Sequence, residues 1–184
     1  MKKIVILVIL LLSYLPNIAT SKVSDAKMIR QIDSLMSLMT LEEKLGQLNL
    51  LPGGDLETGQ KKSLPSIAKI RNGLVGGIFN IKGVDKIREL QRIAIEESRL
   101  GIPLIFGMDV IHGYETVFPI PLALAATWNM EAIERSAQIA ASEASADGIC
   151  WTFSPVGDVC RDPRWGRIAE SPGEDPYLGG EIVK

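Results

Sequence analysis

The chain has 184 residues, 46% of them apolar and 23% charged, a size and composition ordinary for one globular domain. A net charge of −2 with 5% aromatic residues, and no stripe of Lys or Arg, excludes the electrostatic footprint of a nucleic-acid or anionic-membrane binder and any base-stacking platform.

The N-terminus has the layout of an export signal. Lys2 and Lys3 precede the apolar run Ile4 to Leu12, which fades towards Leu15. Pro16 breaks it, and Ala19-Thr20-Ser21 supplies small residues where signal peptidase cuts. The run is shorter than the roughly 20 residues a membrane span requires. Residues 1–21 are therefore read as a cleaved signal peptide, and residues 22–184 as a domain that works in the periplasm or outside the cell, with no membrane attachment after cleavage.

Met28, Ile32, Leu35, Met36 and Met39 recur at helical spacing, which predicts a helix over 24–39. Thr40-Leu41-Glu42-Glu43 is a capping box that opens a second helix running to about Leu50. Pro52-Gly53-Gly54-Asp55 is a loop, and Ser66 to Asn72 a short helix ended by Gly73. The pattern then changes. Val75–Ile81, Pro103–Met108 and Trp151–Val159 read as apolar strands. Between them lie an amphipathic helix over 84–100, with Ile87, Leu90, Ile93, Ala94 and Ile95 facing inward, and an Ala-rich helix over 129–147 ended by Gly148. Strands apolar throughout imply burial on both faces, and helices between them imply βαβ units and a parallel sheet. The expected fold is α/β: an incomplete (β/α)8 barrel with about three strands, since a full barrel takes about 250 residues. No glycine fingerprint follows the first strand, so a dinucleotide-binding sheet is disfavoured.

Cys150 and Cys160 sit at either end of the third predicted strand. Ten extended residues would hold them roughly 30 Å apart, beyond disulfide reach, so both are expected to be buried thiols. With one His and no CxxC or HExxH, no metal site is expected.

Barrel chemistry sits at the carboxyl ends of strands, which singles out three segments: Asn80 and its loop, Gly107 to Gly113, and Asp158 to Pro176. Asp109, at a strand end between glycines, can hold sugar hydroxyls, act as a base or hold a cation; a plain helix N-cap or loop carboxylate is the bland alternative. The third segment packs Asp158, Arg161, Asp162, Arg164, Arg167, Glu170, Glu174 and Asp175 around Trp165, with three prolines. A solvated loop of ion pairs would look similar, but the Trp, Gly and Pro residues indicate a fixed loop, and planar Arg forks with carboxylates are the groups that hold polyols.

GMDVIHG at 107–113, VFPIPLALAATWN at 117–129 and FSPVGDVCRDPRWGRIAESPGEDPYL at 153–178 resemble the N-terminal barrel domain of family 3 glycoside hydrolases, with most likeness to exported bacterial β-glucosidases. The resemblance runs from TLEEKLGQL at 40–48 onward. It implies retaining hydrolysis of terminal non-reducing β-D-glucosyl residues, on β-linked glucosides or oligosaccharides, without cofactor or metal. It implies that Asp109 and Arg167 bind the sugar in subsite −1 and that Glu170 supports the site by pairing with a later Lys. His112 and Trp165 are expected to brace their loops, and Asp175 to cap a helix starting near Pro176. The family's nucleophile Asp and acid/base Glu match no position here and are expected beyond Lys184. No residue of this chain is therefore assigned as catalytic, and the 184 residues alone are expected to be inactive. Within the family a β-xylosidase stays open. An N-acetylglucosaminidase is disfavoured, because Val110-Ile111-His112-Gly113 stands where those enzymes carry Glu-Gly-Gly. A secreted sugar-binding protein without turnover is the alternative of a different class.

Overall fold

The computed structural model describes residues 18–53 and 67–184, the side chains of 18–24 excepted. Most of the predicted signal peptide and most of the loop after Pro52 lie outside the described residues. The chain divides into two compact units, Met1–Thr40 and Leu41–Lys184.

Among the described residues, the first unit contains one helix, α1, Ile18–Leu38. It begins several residues before the predicted start and runs through Ala19-Thr20-Ser21. Met28, Ile32 and Met36 of its apolar stripe are exposed, and Met39 just after it is buried. No helix among the described residues is long and apolar enough to cross a membrane.

The second unit is built on a parallel sheet of four strands in chain order, β1 Leu50–Pro52, β2 Gly77–Phe79, β3 Ile105–Met108 and β4 Trp151–Thr152. α2, Leu41–Gly46, starts where the capping box predicts but stops short of Leu50; a turn follows, and Leu50, where the helix was expected to end, opens the additional strand β1. The close packing of Gly46 and Gly76 requires that ending. A Cβ on Gly46 would sit 2.4 Å from the Gly73 carbonyl oxygen, and one on Gly76 2.0 Å from that of Gln47. The short helix α3 is Ile67–Arg71.

α4, Val84–Glu96, crosses from β2 to β3 and buries Ile87, Leu90, Ile93 and Ala94. These pack with Ile78, Ile81, Leu104, Phe106 and Met108 from the sheet side and with Ala144 and Ile149. Each fully buried aliphatic side chain contributes about 1.5–3 kcal/mol relative to exposure. Ile95, expected to face inward, is 48% exposed; it lies off the stripe marked by Ile87, Leu90 and Ala94. A short helix, α5, Pro121–Ala125, precedes α6, Met130–Ala146, whose first turn is capped by Asn129 Oδ1 accepting from the Ala132 amide.

The last predicted strand is the largest departure. β4 holds only two residues, both exposed, and 153–159 forms no strand. Burial on both faces holds for Gly77 and Ile78 of β2 but not at the sheet edge. The cysteines need a correction too: both are free, Cys160 is buried, and Cys150, just before β4, is exposed. A 3-10 turn, Ile168–Glu170, and α7, Pro176–Ile182, complete the unit. Asp175 Oδ1 accepts from the Tyr177 and Leu178 amides, so the expected cap is present, with Pro176 in the first turn.

Candidate functional site

The carboxyl ends of β2, β3 and β4 lie side by side, because the strands pair in parallel and in sequence. Asn80 follows β2. Its main-chain N–H continues the ladder to the Gly107 carbonyl at 3.0 Å, and its φ of 54° lies in the left-handed region that Asn tolerates better than most residues. Its side-chain Nδ2 donates to Asp109 Oδ2 at 3.2 Å. Asp109 follows β3 and is exposed. The next residue, Val110, has φ of 44°, a strained conformation for a β-branched side chain. Ser154 Oγ, just past β4, donates to the Val110 carbonyl at 2.9 Å and holds that turn. Thr152 Oγ1 lies 3.2 Å from Ser154 Oγ. Asp109 thus stands on a backbone fixed from the neighbouring strand, with its carboxylate open to solvent.

The loop after Asp109 is fastened at several points. His112 Nδ1 is 3.2 Å from the Phe118 carbonyl, and the Phe118 amide donates back to the His112 carbonyl at 2.8 Å. The lone histidine therefore braces its loop, as expected. Gly113, with φ of 114°, turns where a Cβ would lie 1.9 Å from the Thr116 carbonyl oxygen. The Glu143 carboxylate of α6 accepts from the Glu115 amide, the Thr116 amide and the Thr116 hydroxyl. The Thr116 hydroxyl, with the backbone amides adding to it, holds the Glu143 carboxyl below its usual pKa. The Tyr114 hydroxyl donates to Asp147 Oδ2, which also accepts from the Gly83 amide. Burial first, and then this bond to a carboxylate, push the Tyr114 hydroxyl well above its ordinary pKa.

The segment after β4 is a fixed loop. The Cys160 amide donates to the Gly173 carbonyl at 2.9 Å, Ser171 is fully buried, and Trp165 is half-buried. Asp162 accepts from the main chain and guanidinium of Arg164, which holds its carboxyl below the usual range. Arg167 donates through Nε at 3.0 Å and Nη2 at 2.6 Å, both to Glu170 Oε2. This bond, followed by the charges of Glu170, Asp109 and Asp158, raises the guanidinium's pKa further. Arg167 therefore feels the carboxylates of both Asp109 and Asp158.

Asp109 stands just past β3, and Arg167 pairs with Glu170 in the segment after β4, where the charges of Asp109 and Asp158 act on the guanidinium. Glu170 pairs with Arg167, where the resemblance pointed to a later Lys. The pairing uses Nε and Nη2 and leaves Nη1 uncommitted among the described residues. Ionised carboxylates accepting from hydroxyls beside an Arg fork suit a neutral polyol. A groove of about 730 Å³ runs between α5, α6 and residues 152–156, but it is mainly apolar and Asp109, Arg167 and Glu170 do not line it. Sequence reasoning marked the Asn80 loop as a strand end without giving it a partner, and missed Thr152 and Ser154 altogether. The alternation Thr-x-Ser, which begins on the last residue of β4, was their only signal.

The model of the glycosyl hydrolase family 3 N-terminal domain matches residues 40–184. The chain belongs to this family. A periplasmic β-glucosidase of Salmonella typhimurium is 44% identical over 147 residues, covering 80% of this chain and 19% of its own length. A β-xylosidase of Formosa agariphila is 40% identical over 104 residues, or 51% of this chain and 14% of its own. The crystal structure of a Listeria innocua β-glucosidase in complex with glucose superposes with a TM-score of 0.72 at 38% identity, over 84% of this chain and 22% of that one. The chain thus spans about a fifth of the length of the β-glucosidases it matches, and its α/β architecture is that of part of their barrel domain.

Proposed function

We propose that this chain is the sugar-binding portion of an exported β-glucosidase, which hydrolyses terminal non-reducing β-D-glucosyl residues with retention of configuration. Asp109 accepts hydrogen bonds from hydroxyls of the sugar in subsite −1, Arg167 donates to the same sugar, and Glu170 holds Arg167 in place. Retaining hydrolysis needs two carboxyl groups about 5 Å apart across the scissile bond. In this reading the nucleophile and the acid/base come from outside these 184 residues, and the chain alone does not turn over substrate.

The reading is supported by Asp109 standing open just past β3 and by the Arg167–Glu170 pair in the segment after β4, with the charge of Asp109 acting on Arg167, in a chain of family 3. The glucose complex of the Listeria innocua relative supports glucose as the sugar. Export rests on Lys2-Lys3 and the Ile4–Leu12 run within a signal peptide at residues 1–21, and the Salmonella relative's description as periplasmic supports it. The Formosa agariphila relative favours β-xylosidase as a second reading.

Steady-state kinetics of the full-length gene product on aryl β-glucoside and aryl β-xyloside is the test. The proposal expects the larger kcat/KM on the glucoside, and a loss of about tenfold to a few hundredfold in Asp109→Asn and Arg167→Lys, as for bonds involving charged groups. A preference for the xyloside would transfer the reading to β-xylosidase. Near-natural kcat/KM in both variants would overturn the site.

A further inference from the structure

We infer that Asn80 is a positioning residue for Asp109: its side-chain amide fixes one carboxylate oxygen, so that the other is presented to the sugar. The inference rests on Asp109 being a sugar ligand, and goes beyond it by naming what sets that ligand's orientation.

Three observations converge. Asn80 is tied to β3 by both of its halves, the main-chain N–H to the Gly107 carbonyl and Nδ2 to Asp109 Oδ2 at 3.2 Å. Its backbone turns left-handed at φ 54° immediately after β2, and the side chain after that turn reaches the neighbouring strand end. Its Oδ1 is buried with no hydrogen-bond partner among the described residues. A buried unpaired carbonyl is costly, and exchanging the two amide atoms would set a carbonyl oxygen against a carboxylate. The contact with Asp109 therefore dictates which way the amide faces. An ionised carboxylate only accepts hydrogen bonds, so a donor on Oδ2 restricts rotation of the group and leaves Oδ1 to the ligand. Such preorganisation lowers the cost of ordering the site when sugar arrives.

The test is a double-mutant cycle in the full-length gene product on an aryl β-glucoside, with thermal stability measured alongside. Asn80→Gly removes the amide and keeps the left-handed backbone accessible. It is expected to lower kcat/KM about threefold to tenfold with the Tm nearly unchanged. In an Asp109→Ala background the same substitution should change kcat/KM by less than about twofold, because the accepting oxygen is gone. Asn80→Asp sets a second carboxylate against the first. Like charges disfavour ionisation of the pair, so the acid limb of the kcat/KM profile should move to higher pH. Equal losses from Asn80→Gly in both backgrounds, or an acid limb unmoved in Asn80→Asp, would overturn the role of Asn80 while leaving Asp109 a ligand. Natural kcat/KM in Asp109→Asn alone would overturn both.

Discussion

Arg167 places Nε and Nη2 on the same carboxylate oxygen of Glu170, across a single 3-10 turn. The pair is partly exposed, so it contributes at most about 1 kcal/mol to folding. Its consequence is orientation of the fork. Glu170→Gln keeps the shape and loses the charge. The expected result is a Tm within about 2 °C of natural and a kcat/KM lower by about threefold to tenfold, a smaller loss than in Arg167→Lys, where a point charge replaces the fork. Parallel kinetics and thermal melts of the two variants check this order.

Glu143 straps the loop that follows Asp109, and its carboxyl titrates below the ordinary value of 4.5. A depressed carboxylate contributes stability above its unfolded pKa and loses that contribution as the pH falls through the folded value. Hydrogen exchange should therefore show the Glu115 and Thr116 amides protected at neutral pH. Corrected for intrinsic rates, that protection should fade as the pH drops below about 4.5. Glu143→Ala should remove it at every pH.

Gly76 should not tolerate a side chain. An added Cβ would meet the Gln47 carbonyl oxygen at 2.0 Å, whereas nothing lies within 4 Å of one on Gly166. Chemical denaturation of the full-length chain should show Gly76→Ala destabilised by about 3 kcal/mol or more and Gly166→Ala within about 0.5 kcal/mol of natural.

Export is checked by N-terminal sequencing. Expressed in a bacterium from its own start, the product should reach the periplasm shortened by roughly 20 residues. A membrane-bound product that still begins Met-Lys-Lys would contradict cleavage.

The parts of the fold legible in the sequence were those with local causes. The stripe Ile87, Leu90, Ile93 and Ala94, the Asp175 cap, and the strand ending at Met108–Asp109 all rest on periodicity or turn chemistry within a few residues. β1 was hidden because Leu48, Leu50 and Leu51 extend the apolar spacing of α2, and only the distant approach of Gly76 to Gln47 shows that the helix must stop. β4 was overread because Val156 and Val159 look strand-like, while pairing with β3 ends at Thr152. In the site, Asp109 and Arg167 were marked by motif. The Asn80 bond to Asp109 spans 29 residues and the Ser154 bond to Val110 spans 44, so neither has a local signature.

The central claim is that Asp109 and Arg167 hold one sugar at the carboxyl ends of the strands. A crystal structure of the full-length chain with glucose bound measures this directly. The account predicts an Asp109 carboxylate oxygen and an Arg167 guanidinium nitrogen each within about 3 Å of hydroxyls on the same ring. Glucose bound elsewhere, with both side chains out of its reach, would contradict it.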